Sequence, residues 1–269
     1  MRFSIISQDF ESAQIREPFS VCMTVKNEGH SIGAFLESLM AQTAAADEIV
    51  IVDGGSRDDT INILAKYLGK LPLNVLTEDG ASPAQGRNIA SSKARNEIQV
   101  MVDAGTLLHK NLFANLVGPF AEDVDLVAGI YGPMVQSRWA NYFVPNWDNE
   151  RTLREKFLPS CRSTAIRRSL IRKVGGFPTN LKQRWGEDTA FGMQAKEVSR
   201  YWILNRNAYV LWDAPKTLEE AKHLAYRYGM GNGETNCTYY EQGYLRSTDP
   251  VLIAALEGYR HGCQLRRNP

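Results

Sequence analysis

The stretch "EIVIVDGGSRDD", residues 48–59, decides how the chain is read. Four β-branched apolar residues, Ile49 to Val52, read as a buried strand that stops on the carboxylate of Asp53. Gly54-Gly55-Ser56 then turns the chain sharply beside that carboxylate. Upstream, "FSVCMTV" (residues 19–25) predicts another buried strand, closed by the polar turn Lys26-Asn27-Glu28. Ser31 is placed to cap a helix whose face is Ile32, Phe35, Leu36, Leu39 and Met40. Downstream, Ile61, Leu64, Ala65 and Leu68 mark a second helix and "LNVLT" a third strand. Ser82-Pro83 opens a third helix with a capping hydroxyl and a first-turn proline. "EIQVMVD" predicts a fourth strand ending on Asp103, and residues 111–120 another helix.

Strands alternating with helices predict an α/β fold: a mostly parallel sheet, helices on both faces and right-handed crossovers. Ligands of such open sheets bind beyond the carboxyl ends of the strands. Asp53 and Asp103 each follow a β-rich run directly, so two acids occupy equivalent strand ends. A carboxylate at such a place is costly unless something binds it.

The pattern loosens after about Ile130. Residues 137–163 have no clean period and crowd together Trp139, Tyr142, Phe143 and Trp147. "AIRRSLIRKVGGFP" predicts a basic helix stopped by Gly175-Gly176 and Pro178. A short strand pair is expected around residues 201–212 and a helix from about Thr217, followed by a polar tail that is basic at its end.

Composition bounds the function. The chain has 269 residues, 43% of them hydrophobic and 23% charged, which fits one large domain with a real core. A formal charge of +1 gives no global field for nucleic acid, so any basic site is local. Cys22, Cys161, Cys237 and Cys263 are scattered without a C-x-x-C pair, which suits a reducing compartment better than a disulfide or zinc framework. The N-terminus is too acidic and its apolar stretch too short for a signal peptide. No segment approaches the roughly 18–20 apolar residues of a membrane span. The expectation is a cytoplasmic protein, with a peripheral contact at the inner membrane face left open; the basic run Arg167, Arg168, Arg172 and Lys173 suits either such a contact or a solvated helix face.

Four stretches in order, "VKNEG", "VDGGSRDDT", "AQGRNIA" with "VDAGT", and "GEDTAF", resemble the family 2 glycosyltransferases of the GT-A fold. More narrowly, they resemble the bacterial subgroup with V-D-G-G-S, G-R-N and D-A-G signatures. The resemblance runs from about residue 19 to residue 233. It implies a single GT-A (Rossmann-like) domain over 1–269: a nucleotide-sugar half at 19–130, an acceptor-side and catalytic half at 131–233, and a C-terminal tail or helix at 234–269. The implied activity is sugar transfer, with inversion, from a nucleotide diphosphate (UDP favoured) to a hydroxyl of a glycan or lipid-linked glycan in bacterial cell-surface assembly.

The resemblance also assigns roles. It implies donor binding by Asn27, Glu28, Asp53, Arg87, Asp103 and Arg227, and acceptor contacts by Trp185, Gly175 and Gly176. Asp188 matches the base position, with Glu187 beside it. Each residue has a plainer reading. Asp53 could serve its own turn, Arg87 could pair with an acid, and first-turn acids such as Glu187 and Asp188 favour a helix dipole by about 0.3–1 kcal/mol each. Glycines around Arg227 in residues 225–233 could wrap a diphosphate or end a helix. Relatives often carry Asp-x-Asp at the metal site, whereas this chain has Asp103-Ala104-Gly105. Either Asp103 holds Mg²⁺ or Mn²⁺ through one carboxylate, or Asp103 binds the ribose and Arg87, Arg227 or Lys26 carries the leaving-group charge. The rival functions are a sugar nucleotidyltransferase and a degenerate nucleotide-sugar-binding protein; the loop Lys26-Asn27-Glu28-Gly29 lacks the glycine-rich basic character expected of the first.

Overall fold

A computed structural model describes residues 2–145, 147–183, 186–235 and 248–267. Nine strands form one sheet in the order β1-β9-β7-β8-β5-β2-β3-β4, with β6 paired to β9. On one side, β2 (Phe19–Val25), β3 (Glu48–Asp53), β4 (Leu73–Thr77) and β5 (Ile98–Met101) are mutually parallel. On the other side, β7 (Leu126–Pro133), β9 (Tyr201–Trp212) and the N-terminal β1 (Arg2–Ile6) are also parallel to one another. Between the two sets β8 (Thr164–Arg167) runs antiparallel to both neighbours, and β6 (Thr106–Leu108) is antiparallel to β9.

Alternation along the strands divides the core. Val21, Met23, Ile49 and Ile51 point to one face, where α1 (Ile32–Met40), α2 (Thr60–Ala65) and α4 (Leu112–Val117) cover them. Cys22, Val50 and Val52 point to the other, under α3 (Pro83–Lys93), α6 (Arg168–Val174) and α7 (Glu187–Val198). Both faces are therefore apolar, as a helix-covered parallel sheet requires.

Several expectations are corrected. Ala165, Ile166 and Arg167 belong to β8, not to the basic helix, because hydrogen bonding between β5 and β7 captures them and leaves the helix to begin at Arg168. Residues 201–212 are one strand, not two. The polar centre that looks like a turn is accommodated because Asn205 donates to the carbonyls of Gln8 and Asn115. The fourth strand stops at Met101, two residues short of Asp103, and α2 ends at Ala65, short of Leu68, with both Ile61 and Leu68 exposed. Arg167 is spent internally on Glu17 and the carbonyls of Val124 and Ala121, and Lys173 donates to the Val198 carbonyl, so the basic run is not one free cationic face.

The C-terminal region is a helix pair, α8 (Leu218–Glu234) against α9 (Pro250–Arg267), while the short α5 (Glu150–Lys156) lies between β7 and β8 in the chain. A Cβ at Gly229 or Gly233 would strike the α9 carbonyls of Ala255 and Tyr259, and one at Gly258 or Gly262 the α8 carbonyls of Tyr226 and Met230. These glycines exist so that two helix backbones can touch. Among the described residues no helix is long and apolar enough to cross a membrane.

Candidate active site

Two cavities lie beyond the carboxyl ends of the parallel strands. The first, about 590 Å³, is lined by Lys26, Asn27, Gly55, Ser56, Arg57, Asp79 and Gly80. Asp53 lies beneath it, 1% exposed, with its carboxylate engaged by the turn itself. The amides of Gly55 and Ser56 donate to Oδ2 at 3.0 and 2.9 Å, and the Ser56 hydroxyl donates to Oδ1. Asp53 thus shapes the turn that presents Gly55 and Ser56. Gly55 is at φ +82°, and a Cβ there would sit 2.8 Å from the Asp79 carboxylate, so glycine is needed twice over. Asn27 adopts the left-handed conformation at φ 55°, which asparagine tolerates, and accepts from the Arg57 amide at 2.8 Å. Glu28 turns away from the cavity, accepting from the Ser31 hydroxyl and donating its amide to Thr60.

The second cavity, about 560 Å³, brings Arg87, Asp103, Glu187, Asp188 and Arg227 together. Ser82 and Gln85 form a reciprocal cap at the start of α3. One turn on, Gly86 rests against the Thr24 side chain of β2, where any Cβ would collide. That close approach delivers Arg87 to the strand ends. Its guanidinium donates to Glu187 at 2.5 Å and to Asp103 at 3.0 Å, and lies over the Phe177 ring. With Arg87 8% and Glu187 10% exposed in the side chain, this is a buried pair tied to a half-buried Asp103. Arg87 is therefore committed to two acids rather than open to a phosphate.

Glu187 and Asp188 occupy the first turn of α7. Its N-cap, Gly186, is left-handed at φ 91° and packs on the α8 backbone at Gly231. Glu234 of α8 accepts from the amides of Lys182 and Gln183 at 2.6 and 3.0 Å, pinning the same approach. Helix α8 thus helps hold the start of α7, and with it the two acids, in place. Burial and the neighbouring Asp188 charge push the Glu187 carboxyl up to about 7, against the pull of Arg87. Because the folded chain then keeps a proton that the unfolded chain releases, Glu187 makes stability fall as pH rises from about 4.5 to 7. We expect a carboxyl titrating near 7 by ¹³C NMR, and Asp188→Asn to lower that midpoint by removing a like charge. An unmoved midpoint would separate the two acids.

Arg162 was not singled out by the sequence. It lies in the cavity, donates to the Tyr228 hydroxyl at 2.7 Å and sits 4.6 Å from the Trp212 ring centroid. Its segment has no period, and nothing in "SCRST" marks it out. Arg227 lies on the cavity-lining side of α8, but the glycines beside it are mid-helix, and Gly229 and Gly233 face α9. A helix-interior amide is already bonded four residues back, so this string does not wrap a diphosphate. Gly175 and Gly176, expected at the acceptor, lie outside the cavity lining. They end α6 with φ of 90° and 82°, and the adjoining Phe177 backbone exchanges hydrogen bonds with the Asn88 side chain. Trp185 and Cys237 lie outside the described residues.

Among the described residues no three His, Cys, Asp or Glu side chains form a metal cage. His109 accepts weakly from the Asn111 amide in an exposed loop. Asp103 has one oxygen bonded to Arg87 and a third of its side chain exposed. A Cβ at Gly105 meets nothing within 4 Å, so packing does not explain the missing second acid. This donor set fits a hydrated cation held by one carboxylate and ligand phosphates, not one enclosed by protein.

The sequence pattern described as Glycosyl transferase family 2 matches residues 20–175, more than half of the chain. The chain belongs to glycosyl transferase family 2. It is 28% identical over 222 residues to the poly(ribitol-phosphate) beta-N-acetylglucosaminyltransferase TarS of Staphylococcus aureus, covering 78% of this chain but 37% of TarS. A PGL/p-HBAD biosynthesis glycosyltransferase of Mycobacterium bovis is 28% identical over 185 residues, 65% of this chain and 68% of the relative. Among solved structures, the mannosyltransferase PcManGT of Pyrobaculum calidifontis, in complex with GDP-Man and Mn²⁺, superposes with a TM-score of 0.68 at 20% identity, covering 95% of this chain and 75% of the other. TarS 1-349 of S. aureus in complex with UDP-GlcNAc gives 0.63 at 21% identity, covering 92% and 81%. The fold of this family 2 chain is accordingly the GT-A fold.

Proposed function

We propose that this family 2 protein is an inverting glycosyltransferase that moves a sugar from a nucleotide diphosphate, UDP-sugar favoured, to an acceptor hydroxyl of a glycan or lipid-linked glycan in cell-surface assembly. The observation that carries this reading is the convergence of Asp103, Arg87, Glu187 and Asp188 on one cavity beside the turn-lined one at the ends of β2, β3 and β4. The nucleotide occupies the first cavity and the reacting centre the second. The acceptor oxygen attacks the anomeric carbon as the bond to the diphosphate breaks, and its proton passes to the Asp188 carboxylate. Arg87 holds Glu187 and Asp103 together at this cavity. Arg162 and Arg227 bring positive charge toward the leaving group, where it stabilises developing negative charge.

Asp103 would hold a Mg²⁺ or Mn²⁺ ion together with the diphosphate. When bound, that ion neutralises charge on the leaving phosphates. PcManGT and TarS, solved with a nucleotide sugar and, for PcManGT, with Mn²⁺, support the donor class. The test is a thermal-shift screen of UDP, GDP, dTDP and CMP, followed by calorimetry of the best nucleotide with Mn²⁺ and then with EDTA. UDP is expected to stabilise most and to bind more weakly in EDTA. Absence of a shift with every nucleotide would defeat the reading, and equal affinity in EDTA would remove the cation.

A further inference from the structure

The second cavity has two unlike sets of walls. Acidic and basic groups meet at the end of β5 and the start of α7. Elsewhere the lining mixes polar groups such as Tyr142, Tyr228 and Asn232 with an apolar stretch built by Phe143, Val144 and Pro145 after β7, by Leu224 of α8, and by Val251 and Leu252 of α9. None of these six side chains can donate or accept a hydrogen bond. Phe143, Val144, Pro145, Leu224 and Leu252 are only partly covered, and Val144 and Leu252 join none of the apolar clusters of the fold. Val144 and Leu252 are apolar surface kept open inside the cavity, while Phe143, Leu224 and the buried Val251 also pack into the apolar clusters behind it.

A hydroxyl pressed directly onto these six side chains would give up water without finding a partner in them. An alkyl or aryl group would lose unfavourable hydration instead. We infer that the acceptor is an amphiphile: its hydroxyl-bearing end meets Asp188, and an apolar alkyl or aryl portion lies against the wall made by α8, α9 and residues 143–145. This rests on the glycosyl-transfer reading and adds the acceptor's class to it. It also gives α9 a use in the site, since the glycine contact with α8 brings Val251 and Leu252 to the cavity.

The test compares octyl β-D-glucoside, below its micelle concentration, with methyl β-D-glucoside as ligands of the full chain, by ligand-observed NMR and calorimetry without donor. Both probes share one polar head, so only the apolar part differs. Octyl glucoside is expected to bind at least about tenfold more tightly, the effect of burying only part of its chain. Leu252→Glu should abolish that advantage and Leu252→Ala should reduce it, with circular dichroism confirming that each variant is folded. Equal affinity of the two glucosides, or an octyl advantage that survives in folded Leu252 variants, would overturn the inference. A UDP titration on the same protein tests the glycosyl-transfer reading separately. Loss of UDP binding would count against that reading, while the glucoside comparison still decides the amphiphile.

Discussion

Replacing Asp188 by asparagine is expected to slow sugar transfer by about 10²–10⁴-fold, the usual worth of a positioned general base. Donor nucleotide should bind as before. The substitution keeps the size of the side chain, and the asparagine carbonyl can still accept from the Thr189 amide, which lies 2.8 Å from Asp188 Oδ1. That contact in the first turn of α7 is therefore kept, and the loss is chemical rather than structural. Steady-state transfer rates alongside UDP calorimetry separate the two effects. Transfer by the variant at the parent rate would take the base role away from Asp188. A matched loss of nucleotide affinity would place it in the donor site instead.

Arg87→Met is the change expected to cost most in stability. The guanidinium it removes is buried and bridges Glu187 and Asp103, and breaking a buried pair from one side typically costs about 3–5 kcal/mol. Here the loss has a built-in relief, because Glu187 already titrates at about 7 and will hold its proton still more tightly without Arg87. The destabilisation should therefore be larger at pH 8 than at pH 5.5, where a protonated Glu187 leaves no buried charge behind. Adding Glu187→Gln should restore part of the loss at pH 8 and little at pH 5.5. Denaturant unfolding of the three proteins at both pH values measures this. A deficit independent of pH would show that packing against Phe177, rather than charge, is what Arg87 supplies.

Much of the fold was legible because β2, β3 and β4 are apolar, β-rich runs closed by polar turns. The bounds of these strands are the ones the sequence predicts. Local chemistry suffices there, since strand, turn and cap signals agree. It fails at β8, where "TAIR" runs straight into a helix and only hydrogen bonds to β5 and β7 make it a strand. It fails again at β9, whose polar Asn205-Arg206-Asn207 centre is stabilised by carbonyls brought from residues 8 and 115.

The site divides in the same way. The sequence by itself determined that strand-end turns carry acids, that Ser82-Pro83 opens the helix bearing Arg87, and that Glu187 and Asp188 open another. Those are properties of neighbours along the chain. Only the tertiary structure decided that Arg87 is bound to acids 16 and 100 residues away, and that Arg162 enters the cavity beside them. It also decided that the glycines of α8 serve a helix contact. A charge takes its partner, and a glycine its purpose, from whatever the fold brings against it.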